Sequence, residues 1–185
     1  MKDELTRMIA AILEPKSLDP QDIPDIDLYM DQVLTFMDTR LSKYKRNPRE
    51  KVYTKTMINN YAKAGLILPP EKKKYSRENM MLLLLIYRLK QILSIQDIAA
   101  LFSAFGRNKA SHDSNSLIQE AYRIFREIEK IGQEDFGGMC SRKAELIGEL
   151  VSGYGGRDKS DLEWMLMALF LVNQADMQRR LAEQI

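Results

Sequence analysis

The chain has 185 residues, 45% of them apolar, and a net charge of +2, so it can bury a core and form one domain or two small ones. Its longest apolar segments, residues 80–87 and 164–172, are much shorter than the roughly 20 residues of a membrane-spanning helix. One cysteine excludes an internal disulfide, and Asp3 and Glu4 stand where a secretory signal would be basic. These features predict a cytoplasmic protein that does not enter a membrane.

Charge is distributed unevenly along the chain. Residues 1–39 carry a net charge of −6, whereas residues 40–77 carry +10. A local excess of this size attracts a polyanion, because binding releases the counterions condensed on that polyanion. Although short lysine runs alone are usually solvated turns, the distribution indicates a nucleic-acid partner for residues 40–77.

The N-terminal part of the chain contains two helix signals. Apolar spacing predicts a helix over residues 1–14 and, after a proline-containing connector over 16–24, a second helix. Asp25 or Asp27 can cap this second helix, which runs to about residue 44. A basic loop over residues 45–53 follows it.

Thr54 is a favourable N-cap for a third helix, which runs to about residue 64 and ends at Gly65. Its apolar side chains can pack inward: Met57, Ile58, Tyr61 and Ala62. Its outer face carries basic and hydrogen-bonding side chains: Lys55, Thr56, Asn59, Asn60 and Lys63. Most exposed helix faces mix both signs of charge, so a basic face without an acid indicates an anionic partner.

The next segment, residues 66–75, contains two prolines and three lysines beside a tyrosine. This composition predicts a basic loop or a small β wing. Ser76 then opens a strongly apolar helix over residues 80–93 that must be buried on most sides. Ser94 caps a further helix over residues 95–105.

Residues 103–115 are rich in small polar residues and glycine, which predicts a boundary, and the chain beyond them has a helical pattern. One amphipathic helix has an apolar stripe formed by Leu117, Ala121, Ile124, Phe125, Ile128 and Ile131. Residues 132–140 are expected to break this helix before a shorter one over 141–151. Ser160 and Glu163 form a capping box for the last helix, whose first half is apolar on all sides.

Residues 54–101 resemble the DNA-binding half of the MerR (mercury-resistance regulator) family. In that family a recognition helix ending in Tyr and Gly-Leu precedes Pro-Pro, a basic wing ending in Tyr, and two helices of the form I..L...LSL.EI..LL. The residues that match with the same spacing are Tyr61, Gly65, Leu66, Pro69, Pro70, Tyr75, Ile86, Leu89, Ser94, Ile95, Asp97, Ile98 and Leu101. Residues 20–105 also resemble a bacterial domain of unknown function that has an acidic segment at the position of residues 22–33.

The MerR resemblance implies a winged helix-turn-helix that binds double-stranded DNA. Thr54, Lys55, Thr56, Asn59 and Asn60 would face the major groove, Tyr61 and Lys63 would make or support phosphate contacts, and Lys72, Lys73, Lys74 and Arg77 would form the wing on the backbone. Asn59 and Asn60 stand where the family has Arg and Tyr, and an asparagine amide can bond to adenine in the major groove. The family's dimerisation helix and ligand domain have no match, so no effector molecule is implied.

The chain has no residue pattern for catalysis or for a metal site. His112 has no second histidine or nearby cysteine, and the glycine-rich segments lack the lysine and hydroxyl residue of a phosphate-binding loop. Cys140 lies beside Arg142 and Lys143 near a predicted helix start, which can lower a thiol pKa, but no base accompanies it. We expect a protein without enzymatic activity, metal or cofactor.

We therefore predict an all-α protein in three parts: a helix and connector over residues 1–21, a MerR-like winged helix-turn-helix with a small basic wing over 22–105, and a helical C-terminal part over 111–185 for dimerisation or effector binding. The expected function is that of a homodimeric, sequence-specific DNA-binding transcriptional regulator. An alternative is a protein-interaction module that uses the helix-turn-helix as scaffold and the apolar C-terminal helices to bind a partner. A third interpretation is a small-ligand sensor with a cavity among the C-terminal helices.

Overall fold

The computed structural model describes residues 2–13, 18–45, 47, 49–106 and 112–185, without the side chains of residues 104–106 and 112–114. The side chain of His112 and much of the predicted boundary over 103–115 therefore lie outside the described residues. The protein is mostly helical. Within the described ranges, no helix combines the length and hydrophobicity needed to cross a bilayer.

The described residues form seven α-helices, two short strands and two 3₁₀ turns. In chain order these are α1 (Lys2–Leu13), the turn Pro20–Asp22, β1 (Leu28–Tyr29), α2 (Met30–Leu41), the turn Ser42–Tyr44, α3 (Lys55–Lys63), β2 (Lys74–Tyr75), α4 (Arg77–Leu89), α5 (Ile95–Gly106), α6 (His112–Val151) and α7 (Lys159–Ala182). They divide into a central unit, Lys16–Arg126, and a terminal unit, Met1–Pro15 with Glu127–Ile185. This division lies within α6 and not in residues 103–115.

α4 supplies the largest share of the core of the central unit. Met80 and Leu83 are completely buried, as its nearly continuous apolar sequence predicts. The hydroxyl of Ser76 caps this helix by accepting a hydrogen bond from the backbone N–H of Asn79 at 3.4 Å. The buried hydroxyl of Tyr53 donates to the carbonyl of Leu83 at 2.6 Å, which fastens the chain just before α3 to α4.

α2 begins at Met30, later than the start at Asp25 or Asp27 that the sequence predicts. The preceding residues form β1, which pairs antiparallel with β2. This pairing buries the side chains of Leu28 and Tyr75. An earlier helix start would leave both without this cover, so the strand forms in place of the first helical turn.

α6 is one uninterrupted helix, although the sequence predicts a break over residues 132–140. A glycine inside a helix costs only about 1 kcal/mol relative to alanine. Phe136, Met139 and Cys140 from this segment pack in the core of the terminal unit. Their burial outweighs the cost of the glycines, and the helix continues.

α7 begins at Lys159, so the predicted N-cap Ser160 is already helical. Asp158 takes the N-cap position, and its carbonyl accepts a hydrogen bond from the N–H of Leu162 at 3.0 Å. The capping box predicted for Ser160 and Glu163 therefore does not define the start of this helix.

Gly65 ends α3 in the left-handed conformation, with φ of 72°. Its N–H donates to the carbonyl of Ala62, and the N–H of Leu66 donates to the carbonyl of Tyr61 at 2.9 Å. We expect Gly65→Ala to lower the free energy of unfolding by about 1 kcal/mol, because an added Cβ disfavours this conformation. Urea denaturation measures the change. Gly148→Ala in α6, where nothing lies within 4 Å of an added Cβ, should keep or raise the stability, and equal losses in both variants would contradict the explanation.

Candidate nucleic-acid interface

α3 presents a polar face to solvent. The hydroxyl of Thr54 accepts a hydrogen bond from the N–H of Met57 at 3.2 Å, which confirms the predicted N-cap. Ile58 and Tyr61 are buried, and Met57 and Ala62 pack partly against the same core. The predicted outer face is exposed: Lys55, Thr56, Asn59, Asn60 and Lys63. The helix contributes no acidic residue to this face.

The segment predicted to form the wing, residues 71–75, turns at Lys72 and Lys73, both of which are exposed. The N–H of Glu71 donates to the carbonyl of Lys74 at 3.0 Å, and the N–H of Lys74 donates back at 2.8 Å. The two lysines between them have positive φ angles of 48° and 67°. Two-residue hairpin turns with positive φ at both positions favour Asn-Gly, and a residue with a Cβ costs roughly 1 kcal/mol there.

β1 supports the wing from its other edge. Leu28 lies opposite Tyr75, and Tyr29 lies opposite Lys74. The first pair is buried, whereas Tyr29 is 52% exposed. The Nζ atom of Lys74 lies 5.1 Å from the centre of the Tyr29 ring, within the range of a cation–π interaction. Lys74 is therefore held on the outer side of this small sheet.

The start of α2 connects the wing with α3. Tyr29 lies beside Lys74 of the wing, and two residues later the Oδ1 atom of Asp31 lies 2.7 Å from the Nζ atom of Lys55. Lys55 is the first residue of α3. The base of the wing and the first turn of α3 are thus both adjacent to residues 29–31.

Acidic residues from the N-terminal segment neutralise part of the basic surface. Arg77 forms an ion pair with Asp25 at 3.1 Å and donates to the carbonyl of Pro20 at 2.6 Å. Lys45 lies 2.6 Å from Asp38. The charge separation along the sequence therefore overstates the separation in space. Among the described residues, three cations of the predicted interface make neither an ion pair nor a cation–π contact: Lys63, Lys72 and Lys73.

A family model, described as a domain of unknown function (DUF1836), matches residues 18–125, which is more than half of the chain. The chain belongs to the DUF1836 family. No curated protein and no solved structure matches it. The DUF1836 match contains the whole candidate interface, from the start of α2 to the wing.

Within the DUF1836 domain, Tyr61 belongs to a buried aromatic group. Its ring centre lies 6.0 Å from that of Tyr53, which lies 6.2 Å from that of Tyr87. Burial raises the pKa of the Tyr61 hydroxyl. With 3% of its surface exposed, this residue supports α3 from the core side.

Lys90 anchors the basic loop of the DUF1836 domain in front of α3. Its ammonium group donates to the carbonyl of Val52 at 2.7 Å and lies 4.5 Å from the ring centre of Tyr53. Burial lowers the pKa of Lys90, and the nearby Glu50 carboxylate opposes this shift. The contact fixes the chain two residues before the N-cap of α3.

The sequence did not single out Tyr29, Asp31 or Lys90 for these roles. Each acts through a partner that lies more than 20 residues away along the chain. The only local signal is the alternation at residues 28–29, where a buried leucine precedes an exposed tyrosine. Two residues are too few for a strand pattern.

The thiol of Cys140 is not activated. The residue lies inside α6 instead of at a helix start, and burial raises its pKa, opposite to the lowering that its basic neighbours suggested. Across the described part of the chain, no group of His, Cys, Asp and Glu is arranged to hold a metal ion.

Proposed function

We propose that this DUF1836 protein is a sequence-specific transcriptional regulator that binds double-stranded DNA as a homodimer. α2 and α3 act as the helix-turn-helix, α3 lies in the major groove, and residues 71–75 form the wing on the phosphate backbone. The contacts on α3 are Thr54, Lys55, Thr56, Asn59, Asn60 and Lys63, and those on the wing are Lys72, Lys73 and Lys74. Tyr61 and Arg77 position these contacts from within the protein.

The strongest support for the proposal comes from the conformation of the wing tip. Lys72 and Lys73 occupy the two positions of a hairpin turn at which their residue type is disfavoured. Strain of this kind is found where function requires a particular side chain. Two exposed ammonium groups at a protruding tip suit the closely spaced phosphates of a duplex, to which lysine binds as a point charge.

The outer face of α3 offers the second requirement for sequence-specific binding, which is contact with the edges of the bases. Phosphate contacts fix the orientation of a protein on DNA, whereas hydrogen bonds to base edges specify sequence. Asn59 and Asn60 are exposed in the middle of α3, and an asparagine amide can bond both N6 and N7 of adenine. Lys55 and Lys63, near the two ends of the helix, would contact phosphates.

Fluorescence anisotropy with mixed-sequence duplex DNA over a range of salt concentrations tests the proposal. We expect the logarithm of the binding constant to fall with the logarithm of salt with a slope of about −3.6 per subunit, because the four proposed lysines without an ion pair each contribute about 0.9. Lys130→Gln is the control, since this exposed lysine of α6 is not among the proposed contacts, and its slope should equal that of the wild type. Absence of salt-dependent binding would refute the function.

A protein-interaction module is the second candidate function. It is favoured by the exposed apolar side chains of Met165, Leu169 and Val172 on α7. In that case the helix-turn-helix would serve as scaffold, and the protein would bind a different protein through α7.

A further inference from the structure

One cation of the candidate interface is neutralised by an acid from another helix. The Oδ1 atom of Asp31 lies 2.7 Å from the Nζ atom of Lys55, and the two side chains are 79% and 61% exposed. Lys55 belongs to the outer face of α3, and α3 itself contains no acidic residue. The acid that pairs with it comes from α2.

The first turn of α2 holds this acid in position. Asp31 stands in that turn, where the helix dipole favours a carboxylate. The side chain of Gln32 caps the turn by accepting a hydrogen bond from the N–H of Tyr29 at 2.9 Å. The hydroxyl of Thr35 donates to the carbonyl of Asp31 at 2.9 Å. Because β1 pairs with β2 just before this turn, the carboxylate is held beside the first residue of α3.

This ion pair matters more for contact with a polyanion than for the stability of the fold. An exposed pair of lysine and aspartate adds little to stability, because water screens the charges and two mobile side chains must be ordered. Beside a duplex the same pair has two effects. A lysine that stays bound to a carboxylate neutralises no phosphate and releases no counterions, and the carboxylate itself repels phosphates. Such a weak pair can be exchanged for a phosphate where other contacts hold the protein in place.

We infer that Asp31 determines specificity by keeping Lys55 from the phosphates of non-target DNA and releasing it at a target site. The inference rests on the proposed function and deepens it. At a target, base contacts of Asn59 and Asn60 hold α3 in the groove and offset the small cost of breaking the ion pair. On other sequences those contacts are missing, and the pair stays closed. Specificity then comes from an element that penalises the wrong partner.

Fluorescence anisotropy with two duplexes tests the inference, one of mixed sequence and one selected by the wild type from a random pool. On the mixed duplex, Asp31→Asn should steepen the salt slope from about −3.6 to about −4.5 per subunit, because Lys55 becomes a fifth phosphate contact. Its affinity there should rise about 5- to 10-fold at about 0.1 M salt. On the selected duplex the wild type should already have a slope of about −4.5. The gain should therefore be smaller on that duplex, and the preference for it should fall.

Glu145→Gln is the matched control. It releases Lys2 from an exposed ion pair of 2.6 Å, with side chains 64% and 54% exposed, and it changes the net charge by the same amount as Asp31→Asn. Neither residue of this pair is among the proposed contacts, so both duplexes should bind as they bind the wild type. Asp31→Asn combined with Lys55→Met should return the slope on the mixed duplex to about −3.6, which assigns the gain to Lys55.

The outcomes separate the inference from the proposed function. If Asp31→Asn gains no more on the mixed duplex than Glu145→Gln, or gains equally on both duplexes, the inference is overturned. The proposed function then stands, provided that the wild type still binds with a steep salt dependence. If neither the wild type nor Asp31→Asn binds DNA in a salt-dependent way, the function and the inference are refuted together. Asp31 is exposed, so the variant should keep the helical circular dichroism of the wild type.

Discussion

Replacing Lys72 with asparagine and Lys73 with glycine should stabilise the protein and weaken its binding to DNA at the same time. Asn-Gly is the preferred pair for a turn with positive φ at both positions, so the free energy of unfolding should rise by about 1–2 kcal/mol. Loss of two phosphate contacts should reduce the steepness of the salt dependence by about 1.8. Urea denaturation and fluorescence anisotropy measure the two effects on one sample.

Lys72→Ala combined with Lys73→Ala separates charge from conformation. This variant removes the same two charges but keeps a Cβ at both left-handed positions. Its DNA binding should fall as far as that of the Asn-Gly variant, without the gain in stability. Lys130→Gln, an exposed lysine of α6, should change neither quantity. Wild-type affinity in the Asn-Gly variant would remove the main support for a wing on the backbone.

α3 could be predicted from the sequence because its determinants are local. Thr54 bonds to an N–H three residues away, and Gly65 supplies the left-handed residue after the last turn. The 3.6-residue period then places Ile58 and Tyr61 in the core. The same local rules predicted the start of α5, where Ser94 and Asp97 cap each other.

The start of α2 could not be predicted because its determinant is remote. Leu28 is buried against Tyr75, which lies 47 residues later along the chain. An aspartate before an apolar stripe is a sound capping signal, but here Asp25 binds Arg77 instead. A strand of two residues leaves no period from which its pairing could be predicted.

Two further features depend on tertiary packing. The helix break predicted at residues 132–140 rested on glycine content, whereas the burial of Phe136 and Met139 keeps α6 continuous. The basic surface predicted from residues 40–77 is partly neutralised, because folding brings Asp31 to Lys55 and Asp38 to Lys45. Which cations stay without an ion pair therefore depends on contacts between residues that are far apart in the sequence. The two lysines at the tip of the wing remain without an ion pair and are the strongest candidates for phosphate contacts.

Asn59→Ala should reduce sequence discrimination without changing the salt dependence. Asn59 is uncharged and exposed in the middle of α3, so it can contribute hydrogen bonds to a base edge but no counterion release. Loss of such a contact should lower the preference for a selected site over a mismatched site by about 1–3 kcal/mol. Lys63→Ala, one helical turn later, should show the opposite pattern: equal weakening on both sites and a salt slope shallower by about 0.9. Competition binding with a site selected from a random duplex pool measures both. If Asn59→Ala and Asn60→Ala each leave the preference unchanged, α3 does not read bases, because these amides are the side chains on its outer face best suited to that role.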